Sequence, residues 1–259
     1  MNLVGFSEPD LVKYCDEGFN PTLSCNSIRI GTLYGFRAEE NEKLRDEGEG
    51  EFELNIKFPK LTAVSKNWIS EVGFDGGGSA TIDHLQFRNG EVILSGASLK
   101  GSAHNCWIYC MTAKSHGSVG SISEAHNSSW VLPAKNVQDF GGHIMNLLFD
   151  SIQVTDYPKH LRSVPVRELA AKTQISASIR RIDYMPRDIL IESEADFPVE
   201  KLIELKASIP FIKPPLFKDE AEVRFAFWLT YENEVISVED NPKILNLRPI
   251  DRLIDGKKA

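Results

Sequence analysis

The sequence predicts an α+β protein: a single domain, residues 1–259, with a mixed, mainly antiparallel sheet flanked by helices. Three observations point there. Helical segments are mixed irregularly among short strands of antiparallel type, an Asn-Gly hairpin signal sits in the first half, and there is no internal repeat. A doubly wound parallel sheet would need a regular alternation of strand and helix.

The elements follow in order. Residues 8–18 place Leu11, Val12 and Cys15 at helical spacing and stop at Gly18, which predicts a short amphipathic helix. The β-branched run 27–31 predicts a strand, and 34–45, rich in Ala, Glu, Lys and Leu and ended by Asp46-Glu47-Gly48, a helix. From 51 to 94 the chain turns to short alternating stretches. There Asn89-Gly90 separates His84-Leu85-Gln86-Phe87 from Val92-Ile93-Leu94, so a β-meander is expected, with a hairpin-rich insertion at about 51–100.

Residues 104–112 read as a buried strand, and 134–149, with Val137, Phe140, Ile144, Leu147 and Leu148 on one side, as an amphipathic helix packed on the sheet. Further strands are expected at 175–179, 189–191, 222–229 and 234–238, with a helix at 199–207. Pro210, Pro214 and Pro215 punctuate the approach to the strand at 222.

Composition narrows the function classes. With 42% hydrophobic residues, a chain of this length buries roughly 70–75% of its unfolded surface and needs neither disulfide nor structural metal. A net charge of −8 excludes a uniformly basic coat for nucleic acid or membrane. The four cysteines form no CxxC pair and no secretory framework, and no signal peptide precedes them, so a reducing cytoplasm is the expected compartment. The Asn127-Ser128-Ser129 sequon carries no weight there. No apolar run reaches the roughly 18–20 residues of a membrane span.

The charge is uneven. Residues 38–53 hold eight acids and two bases, a net of −6, whereas 157–187 hold seven bases against Glu168 and Asp183, a net of +5, with Tyr157 and Tyr184 among them. A solvated face accounts for either block. The basic one also suits phosphate groups, with tyrosines to stack on bases.

The strongest local pattern is Glu220-Ala221-Glu222-Val223-Arg224-Phe225-Ala226-Phe227. On a strand, alternation puts Glu220, Glu222 and Arg224 on one face and Ala221, Val223, Phe225 and Phe227 on the other. This makes either a salt-bridged edge or the floor of a site.

This Glu-x-Glu strand resembles the catalytic-glutamate motif of ADP-ribosyltransferases, and Ala221-Glu222-Val223 is similar to the glutamate strand of toxins that ADP-ribosylate DNA. More broadly, Ile28-Arg29-Ile30-Gly31-Thr32-Leu33-Tyr34-Gly35-Phe36-Arg37, Arg45-Asp46-Glu47-Gly48-Glu49-Gly50, Trp107-Ile108-Tyr109-Cys110-Met111-Thr112 and the late Glu-x-Glu-x-Arg resemble a large bacterial family of unknown function. These motifs are spread from residue 28 to 224.

The transferase resemblance implies NAD as substrate and a nucleic acid or protein as acceptor, approached by the 157–187 segment, in the manner of a toxin or phage-conflict effector. Breaking the nicotinamide–ribose bond develops an oxocarbenium ion, which a carboxylate stabilises. The resemblance gives that role to Glu222 and the orientation of the acceptor to Glu220. It gives the pyrophosphate to Arg29, with Arg37 as substitute. Thr112, then Ser115, orders the pocket, and Tyr34 and Phe36 are available to stack on nicotinamide. The family's Ser-Thr-Ser is replaced here by Cys110-Met111-Thr112.

Two other classes stand beside this one: a non-enzymatic binding module, in which the Glu/Arg strand is an ion-pair network, and a metal-dependent nuclease, for which Asp83 and Glu91 are a faint match. His104, His116 and His126 with Cys106 and Cys110 give no compact ligand pair, so no metal site is expected. Phe74-Asp75-Gly76-Gly77-Gly78-Ser79 lacks the Lys-Ser/Thr of a phosphate loop and reads as a turn. No Gly-x-Ser-x-Gly elbow is present.

Overall fold

A computed structural model describes residues 9–23, 25–38, 45–89, 91–113, 126–247, 250 and 252–254. The architecture is α+β, with mixed, mainly antiparallel sheets and flanking helices. The chain forms two compact units, one of Met1–Glu47, Asn105–Ile182 and Leu216–Ala259, the other of Gly48–His104 and Asp183–Pro215.

The first unit opens with β1 (Leu11–Cys15) and β2 (Ser27–Thr32). The second supplies β3 (Glu51–Val64), α1 (Lys66–Glu71), β4 (Gly78–Arg88) and β5 (Glu91–Ser102). The chain returns to the first for β6 (Trp107–Thr112), β7 (Ser128–Leu132), α2 (Val137–Ser151), α3 (Val166–Lys172) and β8 (Thr173–Arg181). Next, β9 (Asp183–Tyr184), β10 (Asp188–Ile191), α4 (Val199–Ser208) and β11 (Ile212–Lys213) belong to the second. The first is completed by β12 (Glu222–Tyr231), β13 (Glu234–Ile236) and β14 (Lys243–Asn246).

Among the described residues of the first unit eight strands form an antiparallel sheet around β12, which pairs with β8 along one edge and with β6 and β13 along the other. Alternation along β12 sends Val223, Phe225, Phe227 and Leu229 to the face covered by α2. That helix buries Val137, Phe140, Ile144 and Leu148, each contributing about 1.5–3 kcal/mol. Phe140 meets Phe225 edge-on at 5.9 Å and Tyr109 at 6.0 Å. Gly141 lets the helix approach, since a Cβ there would stand 2.8 Å from Ile179 Cδ1.

The second unit holds a four-stranded sheet in the order β10-β3-β5-β4, with β10 parallel to β3 and the other pairs antiparallel. A separate parallel pair joins β9 to β11. Phe52, Leu54, Ile56 and Leu94 are buried with Trp68 of α1 and Leu202 of α4. Trp68 Nε1 donates to the carbonyl of Phe197 at 2.7 Å, which satisfies the indole inside the core.

Several expectations change. Residues 11–15 form a strand rather than a helix: β1 lies between β6 and β7, so Leu11 and Val12 are buried on opposite faces, and this two-sided burial imitates helical spacing. Gly18 sits in a 3-10 turn, its N–H held by Asp16 Oδ1 at 2.8 Å. At 34–45 a 3-10 turn covers Tyr34–Ala38, and 39–44 lie outside the described residues. The 51–94 region is not a simple meander, because β5 inserts between β3 and β4. The hairpin turn falls at Asn89, whose φ of 52° matches the positive φ that the turn requires. The short α1, α3, β7, β9, β11 and β14 carry too little periodicity to be seen in the sequence.

One buried ion pair ties the end of the first unit to its helical layer. Lys243 Nζ lies 2.6 Å from Asp156 Oδ2, while Asn241 Nδ2 donates to Asp156 Oδ1 at 2.9 Å. Replacing Asp156 by alanine strands the ammonium and lowers stability by about 3–5 kcal/mol. Urea titration checks this. The double replacement Asp156→Leu with Lys243→Met recovers part of the loss.

Candidate functional site

The residues singled out around Glu222 fall in the first unit, and the register of the sheet decides which of them meet. Thr112 of β6 lies directly opposite Glu222, Cys110 opposite Arg224, and Arg180 of β8 opposite Arg224 on its other side. Directly opposed residues share a face with their Cβ atoms about 4.5–5.5 Å apart. One face of the sheet therefore gathers Glu222, Arg224, Thr112, Cys110 and Arg180.

Burial sets the electrostatics. Arg224 is 0% exposed and Glu222 5%, and Arg224 Nε stands 2.8 Å from Glu222 Oε1. The pair is not at an edge, because β12 is hydrogen-bonded on both sides. A carboxylate and a guanidinium this far from water hold each other in place through a charge-assisted bond.

Glu220 does not share their strand. A 3-10 turn, Pro215–Glu220, ends just before Ala221, whose φ of 45° breaks the extended run. The alternation expected from residue 220 thus starts only at 222. Glu220 is half-buried at the end of the turn, and Ala221 does not join the apolar row of β12.

Arg29 is exposed on β2, opposite Ile244 of β14. Alternation puts it on the face of Gly31, which pairs with Ile108, but β2 meets β6 at the Trp107 end, remote from Thr112. Arg37 lies over the ring of Tyr34 at 3.9 Å, a cation–π contact that occupies one face of that ring. Tyr34 N–H donates to Asn105 Oδ1 at 2.9 Å. The ring of Phe36 lies against Gly31, where a Cβ would come within 3.2 Å of it.

The basic block is less open than its composition suggests. Tyr157 is buried, with its hydroxyl 2.8 Å from Thr173 Oγ1, and offers no stacking surface. Arg162 meets Glu239 at 2.9 Å and donates to the carbonyl of Tyr157. Hydrogen bonds from Lys172 to Glu168 and Glu232 hold its ammonium protonated well above the usual range. Lys159, Arg167 and Arg181 are exposed. The block divides between the units after Ile182.

Among the described residues no group of three or more His, Cys, Asp or Glu side chains could hold a metal ion. Burial pushes the titration of His104 and His126 below the usual range. Ser115 and His116 lie outside the described residues. Asp83 and Glu91 sit on the β4–β5 hairpin, where Glu91 pairs with Arg88. No described helix is long and apolar enough to cross a membrane.

The second unit has an open cleft of about 650 Å³ that composition gave no sign of, lined by Glu51, Glu53, Gly76–Gly78, Lys100, Arg187 and Asp188. Gly76 and Gly78 serve backbone packing, and Gly77 supplies a positive φ of 93°. A Cβ on Gly76 would meet the carbonyl oxygen of Ala103 at 2.3 Å, and one on Gly78 that of Lys100 at 2.3 Å. Gly76 and Gly77 already spend their N–H groups on Ser102 and Phe74. Hence the loop is a close-packed turn and not a phosphate cradle.

Fold and site together define an α+β sheet protein with a buried acid–arginine pair in its central strand. Compared with family models, with curated proteins and with solved structures, the chain matches none of them.

In the cleft, Ser98 Oγ donates to Glu53 Oε1 at 2.9 Å and Lys100 Nζ lies 3.2 Å from Oε2. The Ser98 hydroxyl first, and Lys100 after it, hold the Glu53 carboxyl below the usual range. A depressed folded value favours the fold at neutral pH, and that contribution is lost as pH falls through it. Ser98→Ala moves the Glu53 titration upward, as followed by carboxyl-carbon NMR; an unmoved titration would contradict the assignment.

Proposed function

We propose that the chain is an ADP-ribosyltransferase-like protein of the cytoplasm, using NAD as substrate and passing ADP-ribose to a nucleic acid or protein, as toxins and phage-conflict effectors do. The observation that carries this reading is the register of β6 on β12, with Thr112 opposite Glu222 on one sheet face and Arg224 bonded to the carboxylate.

In the reaction the bond from ribose C1′ to the nicotinamide nitrogen breaks and its electron pair leaves with nicotinamide. The ribosyl cation is then captured at C1′ by an acceptor oxygen or nitrogen, which loses a proton. Glu222 stabilises the cation as it forms, because a carboxylate fixed by Arg224 and shielded from water acts strongly on a developing positive charge. Thr112 orders the carboxylate from the neighbouring strand. Because β2 meets β6 only at Trp107–Ile108, this reading requires the dinucleotide to reach along the sheet from Glu222 to Arg29, or to Arg37 beside Tyr34, for its pyrophosphate, with Glu220 orienting the acceptor from the turn before β12 and exposed bases of 157–187 drawing in an anionic target.

A second reading is favoured by the burial of Glu222 and Arg224: a binding module in which the pair only fastens β12. The two separate on one experiment. Wild type and Glu222→Gln are incubated with labelled NAD, nucleic acid and cell extract. The transferase reading expects label transfer by the wild type and a loss of about a hundredfold or more in the variant, the scale of removing one group that stabilises developing charge. The binding module expects no NAD consumption by either protein and a lower melting temperature for the variant.

A further inference from the structure

The strand β4 is the outer strand of the four-stranded sheet, so one of its edges faces no other strand among the described residues. It is eleven residues long and exposed throughout. Edge strands usually blunt this open row of backbone donors and acceptors by being short or by carrying lysine or proline. This strand is long and has neither lysine nor proline; its guards are the charges Asp83 and Arg88 and the register shifts against β5 on either side of His84.

Its side chains are patterned as though for burial. Ile82 lies opposite Ala97, Leu85 opposite Leu94 and Phe87 opposite Val92, and all three β5 residues are buried. The apolar row of the core thus continues onto β4 and ends in solvent, with Ile82 47%, Leu85 39% and Phe87 77% exposed. The other face is polar. There His84 and Gln86 touch at 2.9 Å, and the Asp83 carboxylate lies over Gly96, where a Cβ would stand 2.6 Å from it.

We propose that β4 is a self-association strand, through which two copies of this chain pair antiparallel about a two-fold axis at Leu85. An open backbone edge calls for a strand, and charge order selects which one. The acid, Asp83, precedes the base, Arg88, so antiparallel self-pairing lays the Asp83 end of each copy beside the Arg88 end of the other. Parallel pairing would set Arg88 against its own copy. The axis brings the two Leu85 side chains together, joins both apolar rows into one patch, and makes a continuous sheet in which the open edge of each β4 is used up. Such an isologous contact closes on itself and cannot propagate into a fibre.

Sedimentation and native mass spectrometry of the full chain test this, with Leu85→Lys and Phe87→Asp as variants at exposed positions whose folding is checked by circular dichroism. The wild type is expected to be a dimer, with slow amide exchange in β4. Each folded variant is expected to raise the dissociation constant about tenfold or more, since the new charge at 85 then faces its own copy and the new acid at 87 faces Asp83 across the axis, and to restore fast exchange. A wild type that stays monomeric at the highest concentration overturns the proposal, whether or not β4 takes a strand from another protein. So does a dimer that both variants retain.

Discussion

The desolvated pair Arg224–Glu222 constrains the first unit more tightly than any single apolar contact. A guanidinium buried at 0% exposure is tolerable only with its carboxylate beside it, so residues 222 and 224 must share a face. Their strand is paired on both sides, and a slip of one residue would exchange its two faces. Arg224 would then enter the layer packed by α2, while Phe225 and Phe227 would leave it. The costs of both errors point the same way, so the register of β6 and β8 on β12 is fixed twice over, by charge on one face and by aromatic packing on the other. Thr112 stands opposite Glu222 as a consequence of this register.

The second unit is held by different means. Its sheet is closed on one side by Trp68, whose indole is satisfied at the carbonyl of Phe197, and its turns are set by glycines that admit backbone within distances no Cβ would allow. Gly101 makes room for a side chain instead, since a Cβ there would lie 2.4 Å from the ring of Phe74. Close approach of main chain thus explains the glycines at 76 and 78, and a positive φ of 93° the one at 77 between them.

What was legible in the sequence followed from periodicity. The helix at 137–151 announced its buried face through Val137, Phe140, Ile144 and Leu148, and β12 through the alternation after residue 222. Less legible was β1, because a strand buried on both faces shows no alternation and Leu11, Val12 and Cys15 match a helix equally well. Glu220 was misplaced for a local reason, since a non-glycine residue in the left-handed region leaves no trace in a hydrophobic pattern. The positions of Arg180 and Cys110 beside Arg224 depend on strand pairing across long stretches of chain, which spacing cannot reveal. Alternation along β8 and β6 gives their faces but not their partners.

Charge blocks are the feature that changes meaning most between chain and fold. The acidic stretch 38–53 and the basic stretch 157–187 are each divided by the boundary between the units. In the second unit they partly neutralise one another: Glu49, fully buried, lies 3.6 Å from Arg187, and Gly48 lies against the same guanidinium. In the first, Glu239 and Glu232, which lie outside both blocks, bind Arg162 and Lys172. A run of like charge in sequence is therefore a statement about which partners a fold must supply. Exposure is the narrower measure: within the first unit's share of the block, Lys159 and Arg167 stand in solvent, and under the proposed function any pull on a polyanion would act through such exposed bases.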